Sequence, residues 1–117
     1  MTIELLQNNE GKYFKLKDGH EIVLIPFADI NYIESDGNYV IIYCTSKKYL
    51  SRQKLESIYE ELNSPIFCKA HRNYIVNMGK VQRYSKKDII LLNNTVIPLS
   101  RSLVDDFEKR TKLVQAN

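Results

Sequence analysis

Between Tyr13 and Pro98 the apolar residues come in short runs, and almost every run is closed by residues that favour turns. YFKL (Tyr13 to Leu16) leads through Lys17-Asp18-Gly19 into EIVLI (Glu21 to Ile25), and an Asp-Gly step between two apolar runs is a strong hairpin signal. Pro26 closes the second run, because it has no N–H to offer a sheet ladder. NYIE (Asn31 to Glu34) passes through Ser35-Asp36-Gly37-Asn38 into YVIIYC (Tyr39 to Cys44), with β-branched and aromatic residues on both arms. A short strand at Lys48 to Leu50 follows. After Pro65 the pattern resumes with FCKA, NYIVN, KVQRY, DIILL and TVIP, and Ser85-Lys86-Lys87 and Asn93-Asn94 separate the last three. Asparagine tolerates the left-handed backbone that tight turns require.

One stretch breaks this rhythm. From Ser51 onward Leu55, Ile58, Tyr59 and Leu62 recur at the spacing of one helix face. Ser51 is the expected N-cap, and Asn63-Ser64-Pro65 the expected stop. The opposite face carries Lys54, Glu56, Ser57, Glu60 and Glu61, so the helix packs on the core and its acids would repel phosphate. A final short helix is expected after Ser100, with Leu103, Val104 and Phe107 on one side and Asp105 and Asp106 near the positive end of its dipole. KRTKLVQAN, the last nine residues, is expected to fray. The reading is therefore mostly β: about ten short strands, one firm helix and a short C-terminal helix.

At 117 residues the chain has the size of one domain, taken as residues 1–117. No apolar run approaches the roughly 18 residues of a membrane span, and MTIELLQNNEG lacks the basic start and apolar centre of a secretory signal. A cytoplasmic, non-membrane protein is expected. Cys44 and Cys68 read as unpaired core thiols; a zinc site would have to join them to His20 and His71 at no recognised ligand spacing. The net charge is only +3, but its distribution is uneven. Between Phe67 and Asp88 stand Lys69, Arg72, Lys80, Arg83, Lys86 and Lys87 against the single acid Asp88, whereas Glu56, Glu60 and Glu61 crowd the helix before them. A basic half beside an acidic helix suits a polyanionic partner.

Four stretches, in this order, resemble the LytTR family of bacterial transcription regulators. They are DINYIESDGNYV (Asp29 to Val40), the helix with Arg52 and Leu55, FCKAHRNYIVN (Phe67 to Asn77) and IPLSRS (Ile97 to Ser102). The resemblance runs from about residue 13 to 107, with tails at both ends, and its most specific part is HR-x-YIVN followed by P-x-SR. Asn73 stands where the family usually has Ser and Lys69 where it usually has Arg; both keep a hydrogen-bonding or cationic group, so sequence preference is what they affect. The resemblance implies an elongated stack of small antiparallel sheets with a helix, no catalysis and no cofactor. It implies double-stranded DNA as the partner, as direct repeats in promoters, with one domain per repeat, a homodimer on DNA, and DNA bending. It also places such domains behind the receiver of a two-component response regulator. No receiver lies in this chain, so an excised domain and a stand-alone member both remain open.

Reading base edges without a recognition helix requires loops that project from one edge of a rigid sheet stack. Three loops are candidates. In Asp36-Gly37-Asn38-Tyr39, Asn38 carries the donor and acceptor that suit adenine, and by resemblance a position at or next to it makes a base contact. In Lys69-Ala70-His71-Arg72-Asn73, Arg72 falls by resemblance at a DNA-contacting position, Lys69 and Asn73 flank it, and His71 reads as structural. In Ser100-Arg101, Arg101 is the strongest candidate for a base-specific contact, because Arg to guanine is the commonest specific pairing, while Ser100 is expected to cap the helix behind it. Lys80, with Arg83, Lys86 and Lys87, is a candidate for phosphates. Tyr32, Tyr39, Tyr43 and Tyr74 lie among Ile and Val and read as core rather than as an RNA-stacking platform. The rival function is a β-rich protein- or RNA-interaction module without duplex specificity. An Asp29, His71 and Ser100 triad lacks any nucleophile elbow or glycine-rich phosphate loop around it.

Overall fold

The computed structural model describes residues 12–115, so the expectation for MTIELLQNNEG lies outside the described residues. A hairpin of β1 (Tyr13–Asp18) and β2 (Glu21–Pro26) turns at Gly19, whose φ of +65° explains the glycine. A central antiparallel sheet holds β3 (Ile30–Asp36), β4 (Tyr39–Cys44), β5 (Lys48–Ser51), β6 (Phe67–His71) and β7 (Tyr74–Asn77) in the order β5-β4-β3-β7-β6. A third sheet holds β8 (Val81–Tyr84), β9 (Asp88–Leu91) and β10 (Val96–Pro98), with β9 in the middle. Helix α1 (Leu55–Leu62) joins β5 to β6, and α2 (Val104–Gln115) ends the described chain. The ten strands and the mostly-β class match the sequence reading.

Alternation along the central strands sends side chains to two separate cores. One face offers Ile30, Ile33, Val40, Ile42, Phe67 and Ile75 to the β1–β2 hairpin and to Leu55, Ile58 and Leu62 of α1. The other offers Cys68, Ala70 and Val76 to Ile89, Leu91 and Ile97 of the third sheet and to Val104 and Phe107 of α2. The central sheet is thus covered on both sides over β3, β7 and β6. Each fully buried large apolar side chain contributes about 1.5–3 kcal/mol, so the two cores hold this layer stiff. Asn77 stitches it further: its Nδ2 donates to the carbonyls of Phe27 (3.1 Å) and Ile30 (2.7 Å), and its Oδ1 accepts from Gly79 N (2.8 Å).

Two local expectations are corrected. Ser51 is not the N-cap of α1: it is the buried last residue of β5, paired with Val40, and its Oγ accepts from Gln53 N (3.1 Å) in a turn. The helix starts after Lys54, whose side chain makes no capping bond, and stops as expected at Asn63, with φ +39°. The C-terminal segment from Lys109 to Gln115 is helical rather than frayed. Arg110 fastens it by donating to the carbonyls of Phe67 (2.6 Å) and Pro65 (3.2 Å) and to Tyr59 Oη (3.1 Å), and Thr111 is buried.

Candidate nucleic-acid interface

Four backbone features bring the sequence-derived loops to one end of the central sheet. Strand β3 finishes at Asp36 opposite Tyr39, and Gly37, at φ +64°, closes the β3–β4 turn with Asn38 exposed at its tip. A Cβ on Gly37 would meet nothing within 4 Å, so the glycine answers to the backbone angle and not to space. Ser35 N donates to Asn73 O (2.8 Å), which sets the β6–β7 turn at Arg72-Asn73 beside the first. Ser100 N donates to Ala70 O (2.8 Å) and carries Ser100-Arg101 to the end of β6. Leu99 N donates to Lys87 O (2.9 Å), so the Lys86-Lys87 turn joins the same rim. Asn38, Tyr39, Arg72 and Arg101 are exposed there and Asn73 is half-buried.

The remaining candidates are placed differently. Lys69 lies two strand residues back from His71 on the α1 side and forms an ion pair with Glu56, so its charge is already shared with a carboxylate. Lys80 follows β7 and the short 3-10 turn at Met78–Lys80, where its carbonyl accepts from Leu92 N (2.8 Å). That is the Asn77 end of β7, opposite the Arg72-Asn73 turn. Lys80 is therefore not brought together with the other candidates. His71 is structural as expected: its Nδ1 accepts from Asn73 N (3.1 Å) and its ring meets Tyr74 edge-on, with centroids 5.7 Å apart. Ser100 makes no side-chain cap to the 3-10 turn at Arg101–Leu103; its carbonyl accepts from Leu103 N (2.9 Å) instead.

Behind the rim lies a tyrosine cluster. Tyr32 and Tyr43 stack with centroids 4.3 Å apart and planes at 13°, and Tyr74 Oη donates to Glu34 (3.1 Å). Burial, and then neighbouring acidic groups including Glu34, push the phenols of Tyr32, Tyr43 and Tyr74 above their ordinary range, so they stay neutral and support the turns as packing. Tyr39 departs from the core expectation: 42% of it is exposed, because it sits at the tip rather than mid-strand. Over its ring, 5.7 Å from the centroid, stands the guanidinium of Arg52. Nothing in the sequence around Arg52 marks it for the site. It reaches the rim only because Ser51 pairs with Val40, a relation between strands that no local signal encodes.

The rim therefore presents Arg52, Arg72, Arg101, Lys86 and Lys87, all exposed, against Asp36 and Asp88. Planar guanidiniums and amides at the tips of short turns can hydrogen-bond flat acceptor and donor edges, and the lysines can neutralise phosphates. Asp29 is held at the opposite end of β3, where its carbonyl accepts from Thr45 N (2.9 Å), and so is separated from His71 and Ser100. Cys68 is buried and Cys44 half-buried, each a free thiol. Among the described residues no cluster of three or more His, Cys, Asp or Glu could hold a metal, and no helix is long and apolar enough to cross a membrane.

Comparison with known proteins gives a consistent answer. The LytTr DNA-binding domain model matches residues 20–112. A response regulatory protein of Vibrio cholerae is 27% identical over 99 residues, covering 78% of this chain and 38% of that protein. The sensory transduction protein LytT of Enterococcus faecalis is 29% identical over 97 residues, covering 79% of this chain and 40% of that protein. This chain thus spans about two fifths of the length of these relatives. Among solved structures, the LytTr DNA-binding domain of a Bacillus cereus response regulator superposes with a TM-score of 0.73 at 21% identity, over 86% of this chain and 97% of that one. The fold is the same.

Proposed function

The chain belongs to the LytTr DNA-binding domain family, and from that membership we propose that it binds double-stranded DNA sequence-specifically, with the rim turns as its reading elements. The observation that carries this reading is the pair of backbone bonds from Ser35 to Asn73 and from Ser100 to Ala70. They hold three turns, far apart in sequence, at one end of one stiff sheet. In this reading Arg101 forks onto a guanine and Asn38 pairs with an adenine in the major groove. Arg72 enters the groove between them, where a narrow minor groove would favour a cation. Tyr39, Asn73 and the Lys86-Lys87 turn position the backbone. Lys69 contributes through long-range charge while Glu56 holds it, and Lys80 meets phosphate only where the duplex bends around the domain.

The response regulatory and sensory transduction relatives support a wider role as the output domain of a signalling transcription regulator, with a receiver as its partner. Direct repeats would each take one domain, and two copies would meet on DNA. Selection of bound sites from a random duplex pool tests the reading. An enriched motif, repeated at about one helical turn of 10–10.5 base pairs or a multiple of it, is the expected outcome. No enrichment, with equal affinity for single strands, would instead support a β-rich protein- or RNA-interaction module.

A further inference from the structure

Next to the rim an open groove of about 700 Å³ runs between the β1–β2 hairpin and the connection from β5 to α1. Lys15, Lys17 and Arg52 line it, together with Gln53, Asp18 and Glu61. Lys15, Lys17 and Arg52 are exposed and outnumber the two lining carboxylates, Asp18 and Glu61, the second of which accepts a hydrogen bond from Gln53 Nε2 (2.6 Å). Among the described residues the one ion pair is Lys69 with Glu56, on another part of the surface. The groove is continuous with the rim through Arg52, which stands over Tyr39 one residue from Asn38.

From this geometry we infer that the groove is a second DNA-contact surface, in which Lys15, Lys17 and Arg52 track the phosphates flanking the base pairs read by the rim. The inference rests on the duplex-binding reading above and extends it to the hairpin, an element to which base readout assigns nothing. Lys15 and Lys17 alternate with buried Phe14 and Leu16, so both project from the same outer face of β1. Two strand residues span about 6.7 Å, and one DNA strand carries a charge about every 3.4 Å of helix axis, so the pair covers the axial rise of about two phosphates. Arg52 continues the row towards the β3–β4 turn. The contact carries no base information, since it touches only the backbone. Its effect is on affinity, footprint and salt dependence.

The test is the double variant Lys15→Gln/Lys17→Gln in the full chain, with Lys15→Arg/Lys17→Arg as the charge-keeping control. Binding is followed by fluorescence anisotropy on the selected duplex, on a scrambled duplex, and on selected duplexes lengthened at either end. The Gln pair should bind both sequences roughly tenfold more weakly at about 0.1 M salt and flatten the slope of log K against log salt by about 1.8. Lengthening the duplex at one end should strengthen binding by the wild type and by the Arg pair, but not by the Gln pair. A Gln pair with the wild-type slope and length dependence overturns the inference. If Arg101→Ala still lowers the preference for the selected over the scrambled duplex in that case, the groove alone is refuted. If the wild type itself has no preference for duplex, the functional reading falls with it. A thermal melt that matches wild type confirms that the variants fold.

Discussion

Asn77 is buried, 1% exposed, and its amide serves three backbone groups, two in the Phe27–Ile30 turn and one in its own segment. Replacing it with Ala strips the carbonyls of Phe27 and Ile30 of a donor and Gly79 N of an acceptor. A buried polar group left without its partner costs about 1–3 kcal/mol. Gly79 is exposed, so water can replace its lost acceptor and its share is small. Phe27 O keeps the N–H of Ile30 as a donor, so the Ile30 carbonyl sets the scale, and the expected loss for Asn77→Ala is about 2–3 kcal/mol. That is a large share of the ~5–15 kcal/mol typical of a domain. At roughly 4 °C per kcal/mol for this size, the melting temperature should fall by about 8–12 °C. Urea and thermal melts followed by circular dichroism read it. The DNA motif selected well below the melting point should not change, because Asn77 lies at the opposite end of β7 from Arg72-Asn73. Asn77→Asp sharpens the test. It keeps the shape and the acceptor for Gly79 but turns a carboxylate onto two carbonyl oxygens. Burial raises the folded-state pKa of such a carboxyl, so this variant should be most stable at acid pH and lose stability as pH rises. A loss under 1 kcal/mol for Asn77→Ala would refute the stitching argument, and a changed motif would make Asn77 part of recognition.

Further tests separate the other roles. Arg101→Ala should cost about 1–3 kcal/mol on the selected duplex and much less on scrambled DNA, whereas Lys86→Ala should weaken both about equally; anisotropy on the two duplexes decides, and an equal loss for Arg101→Ala would make it a phosphate contact. Glu56→Gln, Glu60→Gln and Glu61→Gln together should leave the selected motif unchanged and raise affinity slightly, since Glu56 no longer offsets Lys69; a changed motif would put α1 in a groove. Burial pushes the Cys68 thiol up to about 12 and the Cys44 thiol up to about 11, so both stay protonated in the fold while the unfolded thiols ionise near pH ~8.5. Their contribution to stability is therefore intact below about pH 8.5 and lost as pH rises towards those folded values, and alkylation of native protein at pH 8 should be far slower than in denaturant.

The strands were legible because their punctuation is chemical and local. Gly19 and Gly37 stand at positive φ where Asp-Gly steps mark hairpins, and Asn94, at φ +70°, sits in the Asn-Asn turn. Helix α1 was legible from Leu55, Ile58 and Leu62, all buried. The misplacements share one cause. Ser51 can cap a helix or end a strand, and only its ladder partner Val40 decides. The C-terminal helix persists because Arg110 reaches carbonyls 43 and 45 residues away. Lys69 looks free in sequence, and its partner Glu56 comes from a different element.

Lys80 shows why charge density along the chain is a poor map of the interface. It belongs to the same basic stretch as Arg72 and Lys86, yet four residues of β7 stand between it and the Arg72-Asn73 turn. A strand advances about 3.3 Å per residue, so those four carry the chain about 13 Å to the other end of the sheet. Strand β8 then runs back, and Lys86-Lys87 return to the rim beside Leu99. In a meander, cations one strand apart point to opposite ends and cations two strands apart share one. The spacing of turns, rather than the count of lysines, therefore decides which residues can meet one duplex. By the same rule Arg52, closing the strand next to the β3–β4 hairpin, belongs with Asn38 although no basic run announces it. Inserting or deleting a residue in β7 would shift that register and scatter the contacts without changing the charge.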